Sequence, residues 1–533
     1  MRNNNRNKGF TLIELLAVIV ILAVIALIST PLITDTIENS RKNTAIQSAI
    51  SYMNTVEFEL SQALLQDQNM KIKNGNYEAK VDGIYQDSDS FLFTYKGMKV
   101  LGTMEMKENS VQKGTFKVGN YTITCILKDC SGRHSSSEVA GTGLEPPVIK
   151  DGLIPVTYDA SGNTVKANTN NSWYDYDKQQ WANAVAVTSS SRSNYQSVSA
   201  GTKINEADIL AYYVWIPRYK YQLWNVNGVS NEQEINIQFE LTTTPKSNGT
   251  QNGEWLTHPA FTFGSQEVAG IWFGKFELTG TQANPTVKPN QFSLTNLNNQ
   301  ALFNSIKSMN SDAYGLSSYD SHMLKNMEWG AAAYLTQSKY GIGNNEVWIN
   351  NVNTGTGTTT GTQWGPSITG CSGTSASAGV KNNMTACEAG RDYKNAGTKA
   401  STTNNIYGIY DMSGGAWEKA MASVVNEDGT FIASSSGFTT KPDSKYYEEY
   451  KLPSGDYNFS TGKLGDGTKE MRKSTGTVAN GWLNDYGYFP VVNLPWFYRG
   501  GYAIDTSSAG LFYVFRATGE AVSSRGSRAV LVP

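Results

Sequence analysis

Few side chains in this sequence are placed to do chemistry, and those that stand out are spaced for assembly and cross-linking more than for turnover. Glu14 is the only charge between Leu12 and Ile33. A lone carboxylate in so apolar a stretch is costly to bury and needs a cationic partner, so it marks a functional position. Arg2, Arg6 and Lys8 lie before it, and the basic stretch ends at Gly9-Phe10. Four cysteines fall into two local pairs, Cys125/Cys130 and Cys371/Cys387. Neither pair has zinc-site spacing, so outside the membrane both read as structural disulfides. The first would staple a tight hairpin and the second would close a Gly/Ser/Thr-rich loop. Only three histidines occur, His134, His258 and His322, which leaves little for histidine catalysis or a zinc cluster. There is no Gly-x-Ser-x-Gly elbow and no phosphate-cradling glycine loop. The carboxylate pair Glu448/Glu449 sits among lysines and tyrosines and reads as a solvated face. These residues call for no metal and no cofactor.

At 533 residues the chain is long enough for two or three domains. Its net charge of −2 becomes more negative without the basic N-terminal segment, which argues against nucleic acid as a partner. Charged residues make up only 17%, while glycine and tyrosine are abundant at 50 and 29 residues, as suits a β- and loop-rich extracellular surface.

The elements that must position these residues follow from periodicity. The run from Leu12 to Ile33 makes a helix of roughly 33 Å, enough to span a bilayer core. Past Pro31, where a kink or melted turn is expected, helical spacing of Ile46, Ile50, Met53, Leu60 and Leu64, with Phe58 and Leu65 nearby, carries the helix to about residue 66. Residues 67–135 read as a small β head, with strands expected at 76–81, 91–95, 98–104, 114–116 and 121–127. A Ser/Gly-rich linker spans 136–147. All 12 tryptophans fall between Trp173 and Trp496, so the C-terminal part has its own aromatic core. It divides into a leading segment, 148–204, and a larger domain, 205–533. The larger domain contains strands at 212–218 and 271–277, a helix from His322 to Tyr340, and a low-complexity loop at 353–362.

Two resemblances give these pieces a meaning. Lys8-Gly9-Phe10-Thr11-Leu12-Ile13-Glu14 ahead of an apolar helix resembles the processing site of type IV prepilins. The resemblance implies that a prepilin peptidase cuts after Gly9, removing residues 1–9, and methylates Phe10. Residues 10–66 would then form the transmembrane and assembly helix, in which Glu14 pairs with the amino terminus of a neighbouring subunit and Pro31 loosens the helix. It implies a single-pass membrane protein that becomes an extracellular pilus subunit, with other pilin subunits as partners.

The second resemblance lies in 205–533. Asp411-Met412-Ser413-Gly414-Gly415-Ala416-Trp417-Glu418, the helix bearing Trp329, Arg499-Gly500-Gly501 and Gly526-Ser527-Arg528 are similar to segments of formylglycine-generating enzymes and of the variable proteins of diversity-generating retroelements. The implied fold class is α+β multidomain: a long pilin helix with a small β head, then a C-type-lectin-like domain. Trp417, Arg499, Gly500, Gly501 and Arg528, together with Asp411 and Glu418, would be scaffold. A ligand face, hypervariable in that branch, would include Tyr502, Ile504, Asp505, Tyr513, Phe515, Arg516, Glu520 and Ser523. The enzymes of the branch bind copper through cysteines near the C-terminus. This chain has no cysteine after Cys387, so it is expected to be a binder of an extracellular protein or glycan and not an enzyme. The expected whole is a minor or tip pilin displaying that domain, the alternative being a structural major pilin or secretion pseudopilin.

Overall fold

The computed structural model describes residues 40–533 apart from 42, 68–72, 87–88, 120, 127, 135–142, 172, 351–364, 374–386, 388, 456–457 and 474–478. Gly9, Phe10, Glu14, Pro31 and the 353–362 stretch lie outside the described residues. Among the described residues no helix is long and apolar enough to cross a membrane. The chain is a multidomain protein of mixed helix and strand, mostly sheet. It divides into two units, one running to residue 139 with 170–172, the other made of 140–169 and 173–533.

In the first unit a helix over 43–66 covers one face of a seven-stranded antiparallel sheet. Its strands lie in the order Asp89–Leu92, Gly83–Gln86, Gly75–Lys80, Val100–Lys107, Ser110–Val118, Tyr121–Ile126, Asp129–His134. Ala45, Ala49, Tyr52, Met53, Val56 and Leu60 are buried at helical spacing against Ile84, Met104, Phe116 and Ile123. This stripe is rotated from the expected one: Ile46, Ile50 and Leu64 are only half-buried, and Phe58 and Leu65 are exposed. Two alanines let the helix approach the sheet, and Tyr52 locks it by donating to the carbonyls of Lys80 and Gly83 at 2.7 and 3.1 Å. Two strands beyond the expected five, Gly83–Gln86 and Asp129–His134, complete the sheet. Cys125 and Cys130 face each other across the last hairpin and are joined as a disulfide.

The second unit holds two large sheets. The first runs Asp320–Met323, Ala529–Val532, Gly270–Gly274, Ile209–Pro217, Asn183–Val187, Leu153–Tyr158, Thr164–Lys166. The boundary expected at residue 204 therefore does not separate two bodies: strands from 153 to 187 pair directly with the Ile209–Pro217 strand. The Ala529–Val532 strand pairs with Gly270–Gly274, so the end of the described chain returns to the centre of the fold. The single helix expected over 322–340 is instead a strand, Asp320–Met323, followed by the helix Asn326–Thr336. His322 is held in extended backbone because the Asp320–Met323 strand pairs with Ala529–Val532. Every residue of the helix is buried, so it carries no polar face.

The second sheet orders Glu448–Tyr450, Trp417–Val424, Trp496–Gly500, Gly510–Ala517, Tyr486–Gly487 and Ala479–Asn480, with Arg525–Gly526 alongside Trp417–Val424. One continuous core draws residues from both sheets and includes Trp181, Trp215, Trp272, Trp329, Trp482 and Trp496.

Candidate functional site

The second sheet is pinned to the first by a buried arginine. Arg528 donates to both carboxylate oxygens of Glu418, to the Gly274 carbonyl at 2.8 Å and to the Tyr410 carbonyl at 2.9 Å. Two more fully buried carboxylates lie close by. Asp411 accepts from Asn350 Nδ2 at 2.7 Å and Gly370 N at 3.0 Å. Glu277 accepts from Ala416 N at 2.8 Å and from the Ser293 hydroxyl. Burial, reinforced by Asp411 and Glu418, pushes Glu277 well above the usual carboxylate range, and burial lifts Asp411 to about 6. One guanidinium thus faces three carboxyl groups, and a buried cluster so short of positive charge keeps a proton. Asp411, Glu418 and Arg528, expected as scaffold, are all fully buried.

Arg499, the other buried guanidinium at this end, donates to Asn326 Oδ1 and to the carbonyls of Asp466 and Gly467 at 3.1–3.2 Å. Trp329 Nε1 donates to the Leu511 carbonyl at 2.7 Å. Gly500 and Gly501 have φ of +82° and +78°, and a Cβ on Gly501 would lie 2.6 Å from that of Ala509. Only glycine fits this bend.

On this base sits a row of aromatic rings. Trp417 stacks on Phe515 with centroids 6.1 Å apart and planes 10° apart, and lies 5.0 Å from Tyr502. Its indole N–H is shared between Asp505 Oδ2 and Tyr513 Oη, each at 3.1 Å. Tyr486 and Tyr488 extend the row, with ring centroids 6.4 and 5.7 Å from Phe515. Arg516 lies over Tyr488 at 4.9 Å, and Arg525 lies over Trp417 at 5.8 Å while pairing with Glu520. Trp417, Tyr486, Tyr488, Phe515, Arg516 and Arg525 are all half-buried, showing part of each side chain to solvent.

The candidate ligand residues divide. Ile504, Asp505, Phe515, Arg516, Glu520 and Ser523 reach the surface in part. Tyr502 and Tyr513 do not: they are 0% and 3% exposed and serve as walls beneath Trp417. Tyr502 donates to the Gly365 carbonyl at 2.8 Å. Trp417, expected only as scaffold, is part of the surface row. Tyr486 and Tyr488 were not among the expected residues, although Tyr486-Gly487-Tyr488 alternates large and small as a half-exposed strand does. Lys419, next to Glu418, is buried. It donates to the carbonyls of Leu297 and Glu520 at 2.7 and 2.6 Å, and burial drives it down to about 7. It fixes the 519–520 turn that carries Glu520.

Glu448 also departs from expectation. It is half-buried, not solvated: its carboxylate accepts from Met327 N at 3.1 Å, and burial lifts it to about 7. Cys371 and Cys387 are joined as a disulfide. Among the described residues no group of three or more His, Cys, Asp or Glu is arranged to hold a metal ion. The row sets aromatic rings beside the guanidinium groups of Arg516 and Arg525.

Comparison with known proteins bears on the opposite end of the chain. Residues 4–30 match the family model of the prokaryotic N-terminal methylation motif. The chain carries a prepilin motif. That motif supports a type IV pilin-like or pseudopilin subunit, and it implies membrane insertion followed by a place in a surface pilus, with a prepilin peptidase and pilin subunits as its general partners. Among solved structures the chain is similar to variable protein 1 of Treponema denticola at 11% identity and a TM-score of 0.24, over 62% of this chain and 98% of that one. No curated protein matches the chain.

Proposed function

We propose that this chain is a minor or tip pilin-like subunit that displays its second unit as a lectin-like adhesive lobe. Cleavage after Gly9 frees Phe10, the apolar helix polymerises with Glu14 setting register, and the second unit is presented outside the cell. The observation that carries the binding role is the half-exposed row Trp417, Phe515, Tyr486 and Tyr488, edged by Arg516 and Arg525. Rigid aromatic and arginine side chains held by a buried scaffold are what binding hot spots are made of. The ligand in this reading is an extracellular protein or glycan, and the exposed residues of the face vary among copies of the family. The lobe acts as a binder and not as a catalyst: both described cysteine pairs are closed as disulfides, and the carboxylates of the scaffold are occupied by backbone and arginine donors.

The alternative, a structural major pilin or pseudopilin without a ligand site, draws on the burial of Tyr502 and Tyr513, which makes those two residues packing. Sheared filaments separate the readings. A chain that is scarce in them, and cells that lose adhesion when Phe515 and Tyr488 are replaced by alanine, fit the proposal. A chain at every repeat with adhesion unaltered fits the alternative.

A further inference from the structure

The first sheet of the second unit also buries a lysine. Lys275 follows the Gly270–Gly274 strand and is 0% exposed. No carboxylate among the described residues pairs with it, and burial drives its amine well below its ordinary value. The Tyr158 and Tyr410 rings lie 5.1 and 5.5 Å from Nζ. Its three polar neighbours are the Ile406 carbonyl at 2.5 Å, the Gly408 carbonyl at 3.1 Å and Oδ1 of Asn183 at 2.7 Å. A neutral amine has two hydrogens and one lone pair. As placed, Nζ donates to all three oxygens; once neutral, with its two hydrogens on the carbonyls, its lone pair is free to turn onto the amide carbon of Asn183.

Asn183 is equally enclosed, at 1% exposure. Its Nδ2 donates to the carbonyls of Trp181 and Tyr407, both at 2.9 Å, which fixes the plane of the amide. Its Oδ1 also accepts from the Tyr158 hydroxyl at 3.0 Å. Burial keeps that hydroxyl protonated by raising it well above its ordinary value. A fixed donor on the oxygen of an amide stabilises negative charge that develops there during attack. Enclosure also holds the two groups together at high effective concentration and excludes competing water.

We propose that Lys275 and Asn183 join in an intramolecular isopeptide bond. Neutral Nζ attacks Cγ of Asn183, and the oxyanion that forms on Oδ1 is held by the Tyr158 hydroxyl. Collapse breaks the Cγ–Nδ2 bond. One Nζ hydrogen passes to Nδ2, which leaves as ammonia, and an Nζ–Cγ amide remains. Nothing is oxidised or reduced, and no co-reactant is needed. The strand Asn183–Val187 and the strand Gly270–Gly274 lie on either side of Ile209–Pro217, so the bond clamps three central strands of the sheet. A covalent clamp there suits a lobe exposed to shear and proteases, and it rests on no assumption about the ligand.

Tryptic peptide mass mapping of the full chain, extracted from cells, tests this. The expected result is no cleavage after Lys275 and a branched species joining its peptide to the segment that follows Lys178, lighter than the sum of the two by one ammonia. The branch should vanish in Asn183→Ala. Wild-type chain that is cut after Lys275, with both peptides at their sequence masses, overturns the proposal, as does a branch that persists in Asn183→Ala.

Discussion

Trp417 and Phe515 stand on two strands that do not pair with each other, yet their rings are within 10° of parallel at 6.1 Å. Between them runs the Trp496–Gly500 strand, which pairs with both neighbours and ends at the glycine bend. The ring row is therefore set by the sheet beneath it, and ligand contact and folding can be separated by mutation. Phe515→Ala should cost about 1–2 kcal/mol of stability, since the ring is only half-buried. It should weaken binding to ligand-bearing cells at least tenfold, or ~1.4 kcal/mol. Adhesion counts beside a urea melt would check both.

Tyr513→Phe should behave in the opposite sense. The hydroxyl it removes meets the Trp417 indole at 3.1 Å below the surface. We expect a loss of about 1 kcal/mol in stability and adhesion altered only through the tilt of Trp417. A Tyr513→Phe lobe of full stability and no adhesion would show that this hydroxyl touches ligand directly.

Arg528→Met should be among the most damaging single changes. It leaves Glu418, Asp411 and Glu277 buried without their common cation, at a cost of about 3–5 kcal/mol. The remaining stability should be greatest at mildly acid pH, where the carboxyl groups take up protons. Denaturant midpoints of the variant at a series of pH values measure this.

The pH response of the native chain follows from two other buried groups. Glu470 accepts from Tyr334, Tyr221 and Gly465 N, and burial lifts it from 4.5 to about 7. It holds its proton more tightly folded than unfolded, so its contribution is complete below about pH 4.5 and lost as pH rises through 7. His258 is driven by burial from 6.5 to about 3. Its contribution is complete above pH 6.5 and lost as pH falls through 3. The two slopes oppose each other between pH 4.5 and 6.5, so stability should be level there and decline on either side; in Glu470→Gln the His258 slope is left alone, and stability should rise from pH 4.5 to 6.5. Tryptophan-fluorescence melts across that range would detect it.

Gly501→Ala should cost about 1–3 kcal/mol, because its left-handed backbone is strained for alanine and the added methyl meets Ala509. Calorimetry of the variant gives the value.

Some of this was legible in the residues and some was not. Gly500-Gly501, Arg528 and Trp329 stood out through a resemblance to known families, and the structure places them at a tight bend and in buried hydrogen bonds, where few residue types fit. The disulfide pairs were visible from spacing alone. Tyr502 and Tyr513 misled because tyrosine serves equally as a wall and as a contact, and only the neighbouring Trp417 decides which. The leading segment 148–204 looked separate because strand partners far apart in sequence leave no local mark. In the first unit, Ala45 and Ala49 carry the helix face where larger residues seemed the better core, since close approach to a sheet favours small side chains.

Display of the second unit outside the cell requires above all that the chain be processed as a pilin. Mass analysis of the N-terminus of chain recovered from sheared surface filaments tests that directly. The expected first residue is an N-methylated Phe10. Chain in those filaments that still begins at Met1, with Gly9 joined to Phe10, would contradict it.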